Sequence, residues 1–249
     1  MEDNHPLASL LVPQVGLAWR LVETQETAAT RAITRSATEQ SRLEELLDAS
    51  KPRLPDDCRG LSYLFMTPFR YPPLQFGSRF GQCFERGIFY ASQEPATAFA
   101  ETAVYLWLFQ SALAKPGPLA TINDSRTLFS VKLRTDRGCD LRSDYFQHQY
   151  PELDSPSDWS QSQKLGSNLR AAGAEFFWFN SARTSKGTNA AVISPKAFAK
   201  REPDSQELWL LRITEEVCWF GHADGRHHEF YHSEFSKAGY LQHPGLQTT

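Results

Sequence analysis

The stretch from Gly77 to Tyr105, GSRFGQCFERGIFYASQEPATAFAETAVY, organises the rest of the sequence. Residues 95–109 predict a helix, because Pro95 suits a first turn and Ala, Phe, Val, Leu and Trp follow on nearly every face. A helix that is apolar all round is buried. Glu101 is its single charged residue, and an unpaired buried carboxylate is costly. We therefore expect Glu101 to be protonated, paired or facing a cleft.

An arginine and a tyrosine in the same stretch are expected to lie near Glu101. Arg79 follows a Gly-Ser pair that lets the backbone turn sharply, and it is a natural charge partner for Glu101. Residues 87–91 (GIFYA) predict a short buried strand that places Tyr90 near both. An Arg, a Tyr and a carboxylate together suit an anionic, ring-bearing ligand. Spacing alone equally allows Arg79 and Glu101 to form a buried structural ion pair.

The composition is that of a globular protein with a sizeable core. The chain has 249 residues, 41% hydrophobic and 22% charged, and it is rich in aromatic side chains. Its net charge of −3 argues against a general nucleic-acid or anionic-membrane surface. We expect no membrane partner and no direct nucleic-acid contact.

The sequence also favours a cytoplasmic location and no metal. We see no secretory signal pattern and no apolar run long enough for a transmembrane helix. The four cysteines are scattered and never form a CxxC pair, so reduced thiols are expected. The pair His227-His228 has no third ligand at good spacing, so we read both as surface histidines.

The element pattern predicts an α+β fold with a mixed or antiparallel sheet, because strands outnumber helices and come in runs. Residues 1–60 are interpreted as an N-terminal strand and helical extension, which contributes the Trp19-Arg20 strand to the main domain at 61–249. Past Gly221 we expect the His-rich segment GRHHEFYH to end the ordered part. Strands are predicted at 17–22, 61–66, 128–133, 176–179, 189–193, 208–213 and 217–220, the last two as a C-terminal hairpin, and further helices at 36–50 and 159–172.

Several short motifs, taken in order, resemble the RES-domain family, named for an Arg, a Glu and a Ser. The matching residues are Arg79 in GSRF, Glu101 in TAFAE, Ser181 in NSAR, Tyr90 in GIFY, the opening Trp19-Arg20, and Asn189, Val192 and Pro195 of an Asn-x-x-Val-x-x-Pro pattern. The chain differs from the compact toxin members by an inserted helix after the Trp19-Arg20 strand and an added C-terminal hairpin.

The resemblance implies a fold similar to ADP-ribosyltransferases and an activity that consumes NAD⁺. Water or inorganic phosphate would break the bond between nicotinamide and ribose, with NAD⁺ as substrate, phosphate as an optional co-substrate and no cofactor. In the toxin members a neighbouring antitoxin protein holds the enzyme silent. The expected partners are NAD⁺ and an antitoxin, with a homodimer left open. An ADP-ribosyltransferase and a non-catalytic nucleotide-binding module are the alternatives.

This chemistry assigns a role to each candidate residue. Glu101 would stabilise the positive charge that grows on the ribose as nicotinamide leaves, and Arg79 would grip a pyrophosphate bidentately. Tyr90 would offer a flat face for nicotinamide or adenine and a hydroxyl to place a ribose, completing the catalytic set. For substrate binding, Ser181 would supply a donor and acceptor, and Arg20 would either be structural or reach the phosphates.

Overall fold

A mixed eight-stranded sheet forms the centre of the protein in a computed structural model that describes residues 6–24, 33–112 and 117–246. Its strand order is β1-β2-β5-β4-β3-β6-β7-β8. The only parallel pairing among the described strands joins β3 and β4 over three residues. The predicted α+β class with a mixed sheet is therefore confirmed. The strands are β1 Val12–Glu23, β2 Phe89–Ser92, β3 Ile122–Asp140, β4 Phe176–Asn180, β5 Thr188–Val192, β6 Ser205–Ile213, β7 Val217–His222 and β8 His227–Tyr231, with a separate pair β9 Ser236–Lys237 and β10 Tyr240–Leu241.

Half of the sheet closes on itself. Strand β1 pairs with β2 at one edge and with β3 along most of its length, and β3, β4, β5 and β2 complete the ring. The 19-residue β3 makes this possible, because residues 126–138 pair with β1 along one edge, while residues 122–130 pair with β6 and residues 138–140 with β4 along the other. Strand β1, which carries Arg20, is thus an integral part of the main sheet.

The helices cover the sheet and enclose three buried clusters. Helix α3 packs against β6 and β7, α2 covers the ring on the side of Phe129 and Phe198, and α5 covers β4 and β5. Helix α1 buries none of its residues. The bounds are α1 Ala37–Ser50, α2 Tyr63–Arg70, α3 Pro95–Ser111, α4 Asp144–Gln149, α5 Ser160–Ala171 and α6 His232–Phe235.

Two predicted features are wrong. Residues 61–66 were expected to be a strand, but they lie in and before α2, because Leu64, Phe65 and Phe69 recur at helical spacing and all three are buried. The ordered part does not end at the His-rich segment after Gly221. Strand β8 extends the sheet beyond the predicted hairpin of β6 and β7, and Leu241 is buried further on.

In the part of the chain that the structure describes, no helix is both long and apolar enough to cross a bilayer.

Candidate active site

A cleft of about 590 Å³ opens between the closed half of the sheet and helix α3. Strand β1, the segment from α2 to residue 79, strand β2, helix α3 and Trp159 line its walls. Four of the five predicted site residues face this cleft: Arg20, Arg79, Tyr90 and Glu101. The fifth, Ser181, does not line it and lies behind Glu101.

Glu101 sits in the second turn of α3, and one of its carboxylate oxygens is held by two side chains from distant strands. Oε1 accepts a hydrogen bond from Ser181 Oγ at 2.7 Å and another from Asn189 Nδ2 at 2.7 Å. Asn189 is itself oriented by Ser92, whose Oγ donates to Asn189 Oδ1 at 2.7 Å. No described residue donates a hydrogen bond to Oε2. The carboxylate is therefore fixed in orientation, with one oxygen still able to accept from a ligand.

The ion pair considered between Arg79 and Glu101 does not form. Among the described residues, no Lys, Arg or His lies within ion-pair distance of the Glu101 carboxylate. Neutral donors hold the acid instead. The Arg183 guanidinium interacts with Glu101 electrostatically but forms no ion pair with it, so the carboxylate remains available to act on a ligand in the cleft.

Ser181 connects Glu101 to the turn that follows β4. Its Oγ donates to Glu101 and accepts from the backbone N–H groups of Arg183 at 3.0 Å and Thr184 at 3.1 Å. The side chain is 8% exposed. Through these contacts the Ser181 hydroxyl orients the Glu101 carboxylate.

Arg79 is nine-tenths buried and is held by main-chain carbonyls. Nη1 donates to Leu153 O at 3.1 Å and to Ser155 O at 2.8 Å, and the guanidinium lies over the Trp159 ring with its carbon 5.5 Å from the ring centroid. No described residue accepts a hydrogen bond from Nε or Nη2. Backbone and indole therefore fix the group while part of its donor fork faces the cleft.

The turn that carries Arg79 depends on Gly77 and Tyr90. Gly77 has φ +76°, where a side chain would be strained, and a Cβ there would clash with Gly81 O. The Tyr90 hydroxyl accepts from Phe80 N at 3.0 Å and shares a hydrogen bond of 3.0 Å with Ser78 Oγ. Burial raises the pKa of Tyr90 to about 12, so it stays a neutral phenol. Its hydroxyl, expected to place a ribose, is engaged in shaping this turn, and its ring lines the cleft.

Arg20 brings a second guanidinium to the cleft. Nη1 donates to Tyr90 O at 2.8 Å. The guanidinium lies over the Phe89 ring, with its carbon 4.8 Å from the ring centroid. Burial lowers the pKa of Arg20 to about 10, so it is still protonated at neutral pH. None of the described carboxylates pairs with Arg20 or with Arg79. Two cations without acidic partners make the cleft suited to an anionic ligand.

The site includes residues that the sequence motifs do not assign to it. Asn189 was noted only as part of a spacing pattern, and its amide proves to hold Glu101. Trp159, Tyr105 and Phe76 line the cleft as flat aromatic surfaces. Tyr105 had a local signal, because it lies one helical turn after Glu101, on the same face of α3. Nothing in the sequence near Trp159 or Phe76 indicated contact with Arg79 or with the cleft.

His227 and His228 lie away from the cleft, on the edge strand β8. His227 is exposed as expected, but His228 is partly buried and stacks on Phe99 with ring centroids 4.4 Å apart. Burial lowers the pKa of His228. Within residues 6–24, 33–112 and 117–246, no group of three or more His, Cys, Asp or Glu side chains could hold a metal ion.

A family model described as RES domain matches residues 53–212, more than half of the chain. No curated protein matches it. Among solved structures, the chain is similar to a chain in the crystal structure of the M. tuberculosis MbcT–MbcA toxin–antitoxin complex, with 11% sequence identity and a TM-score of 0.46. That similarity covers 86% of this chain and 95% of the other.

Proposed function

The chain belongs to the RES-domain family, and on that basis we propose that it degrades NAD⁺ by cleaving the bond between nicotinamide and ribose. The observation that carries the proposal is the environment of the Glu101 carboxylate. Its carboxylate faces a cleft of about 590 Å³, is oriented by Ser181 and Asn189, and has no cation within ion-pair distance among the described residues.

Glu101 would act on the ribose. As the C–N bond lengthens, nicotinamide keeps the bonding electron pair and leaves as a neutral ring, so positive charge develops on the sugar. A fixed carboxylate stabilises that charge more in the transition state than in the ground state. Oε2 can accept a hydrogen bond from a ribose hydroxyl, while Ser181 and Asn189 prevent the side chain from rotating away. One carboxylate is sufficient, because the leaving group needs no proton.

Arg79 and Arg20 would bind the pyrophosphate. A dinucleotide carries negative charge at its centre, and both guanidiniums reach the cleft without acidic partners among the described residues. Nε and Nη2 of Arg79 form a donor pair suited to two phosphate oxygens. The rings of Tyr90, Trp159 and Tyr105 supply flat apolar surfaces for the bases.

Water or inorganic phosphate would then attack the sugar carbon that nicotinamide has left. Water gives ADP-ribose and a proton, and phosphate gives a phosphorylated ADP-ribose. Ser181, which the cleft does not reach, contributes by positioning Glu101. We further propose that the protein is the toxin of a toxin–antitoxin pair, as the family resemblance implies, with an antitoxin that silences it.

The test is to incubate the purified protein with NAD⁺, with and without phosphate, and to follow nicotinamide release. Release without phosphate indicates hydrolysis, and release only with phosphate indicates phosphorolysis. Label from NAD⁺ retained on protein would indicate ADP-ribosyl transfer instead. If NAD⁺ is bound but never consumed, the proposal of an NAD⁺-degrading enzyme is wrong and a nucleotide-binding module is favoured.

The toxin role needs a separate experiment in cells. Induced expression should lower cellular NAD⁺ and stop growth, whereas expression of Glu101→Gln should do neither. Growth arrest of equal strength with both proteins would exclude NAD⁺ loss as its cause.

A further inference from the structure

The C-terminal segment, residues 240–246, lies outside the range that the family model matches, yet it packs against the cleft. It begins with strand β10, whose Leu241 is 5% exposed and belongs to the cluster around α3. Two residues later His243 is 4% exposed. The segment is thus anchored by the buried side chains of two alternate residues, Leu241 and His243.

The His243 ring contacts three aromatic residues that line the cleft. Its centroid lies 4.7 Å from that of Trp159, 5.2 Å from that of Phe76 and 5.8 Å from that of Tyr105, each with the rings nearly perpendicular. These three residues come from different parts of the chain: the segment before α5, the loop that leads to Arg79, and α3. All three therefore contact the same ring, the His243 imidazole.

The turn after His243 also fits closely against this cluster. Nδ1 of His243 accepts from Gly245 N at 3.0 Å, and a Cβ on Gly245 would lie 2.8 Å from Phe76 Cε1. A side chain at position 245 would therefore push Phe76. Glycine at this position permits a contact that a larger residue would prevent.

A second connection runs from the segment towards Glu101. Arg183 Nη1 donates to Gln242 O at 2.8 Å, and the backbone N–H of the same arginine donates to Ser181 Oγ. Ser181 in turn donates to Glu101. The segment therefore touches both the aromatic wall of the cleft and the support of the acid.

We infer that residues 241–246 support the aromatic wall of the cleft from behind and that His243 is a positioning residue for the aromatic surface that receives a base of the dinucleotide. The His243 ring holds Phe76, Trp159 and Tyr105 in one arrangement. Its role in NAD⁺ binding rests on the proposed function, whereas its effect on the order of the cleft does not.

The test compares His243→Ala with His243→Phe, which restores a ring, and with Tyr240→Ala, a control on a side chain that is 76% exposed in the same segment. Hydrogen exchange is measured first. In His243→Ala the peptides covering 74–82 and 155–163 should exchange about tenfold faster, while those covering β6 and β7 stay unchanged. His243→Phe and Tyr240→Ala should match the parent.

Turnover of NAD⁺ gives the second readout. His243→Ala should raise KM about tenfold with kcat changed less than about threefold, because the Ser181 and Asn189 bonds to Glu101 remain. His243→Phe should return KM to near the parental value. Absence of NAD⁺ consumption by the parent would refute the proposed function and leave the exchange data to decide the inference.

The inference is wrong if exchange at 74–82 and 155–163 is unchanged in His243→Ala, or if His243→Phe does not restore it. Should His243→Ala fail to fold, Gly245→Ala decides in its place, because it displaces Phe76 without removing a core side chain. It should speed exchange at 74–82 and raise KM. Parental behaviour of a folded Gly245→Ala would overturn the inference.

Discussion

Glu101→Gln removes one negative charge from the cleft and changes the shape of the side chain very little. The amide oxygen of glutamine can accept from Ser181 and Asn189 as Oε1 does, so we expect the free energy of unfolding to stay within about 1 kcal/mol of the parental value. What is lost is the interaction between a carboxylate and a positive ribose.

The size of that interaction follows from Coulomb's law. A unit charge about 4 Å from the developing cation, at an effective dielectric constant of about 20, contributes about 4 kcal/mol. That corresponds to about a thousandfold in kcat, which agrees with the effect of removing one preorganised polar group from other active sites. Binding of NAD⁺ should change far less, because the charge on the ribose appears only in the transition state.

The assay measures nicotinamide release by the parent and by Glu101→Gln, with circular dichroism and calorimetric NAD⁺ binding on the same samples. Glu94→Gln is the matched control, since it makes the same chemical change just before the first turn of the same helix, at an exposed side chain outside the cleft. It should keep parental turnover. If Glu101→Gln has a parental spectrum and consumes NAD⁺ within about threefold of the parental rate, the electrostatic role assigned to Glu101 is wrong.

Three further outcomes are expected. Arg79→Lys should weaken NAD⁺ binding about tenfold by calorimetry, more than it lowers stability, because lysine offers no planar fork; unchanged affinity would remove Arg79 from the phosphate site. Tyr90→Phe should lower the free energy of unfolding by about 1–3 kcal/mol in denaturant titration, because Phe80 N loses its acceptor; parental stability would contradict that role. Burial first, and then the cations Arg183 and Arg79, lower the pKa of His243 to about 4. The unfolded chain therefore binds more protons between pH 6.5 and 4, and the parent should lose about 3 kcal/mol of stability as pH falls through that window, a loss that His243→Phe should not show.

Much of the fold could be predicted because local pattern was sufficient. Helix α3 was predicted from its run of apolar residues and its first-turn proline, and it spans Pro95–Ser111. Strand β4 and the hairpin of β6 and β7 followed from short runs of apolar and β-branched residues. Each of these signals is carried by neighbouring residues. Burial is less complete than the patterns indicate, because Tyr105 and Phe109 in α3 and Leu208 and Leu210 in β6 are exposed.

Local pattern was misleading in two places: a short apolar run at residues 61–66, and the polar segment after Gly221. Residues 61–66 alone form an apolar run that suits either a strand or a helix; the helical spacing appears only when Phe69 is included, and packing against Phe129 and Phe198 stabilises α2. The polar segment after Gly221 resembled a chain end. Its pairing with β7 and the burial of Leu241 and His243 depend on surfaces supplied by earlier elements.

The sequence by itself determined the buried helix with one acid, the turn with one arginine, and a set of motifs sufficient to indicate the family. Only the tertiary structure decided what each charge contacts. Glu101 is held by side chains 80 and 88 residues away, Arg79 by carbonyls more than 70 residues away, and the aromatic wall by the C-terminal segment. The physical reason is that secondary structure depends on the spacing of neighbouring side chains, whereas a buried polar group is satisfied by whichever partner chain closure brings within about 3 Å.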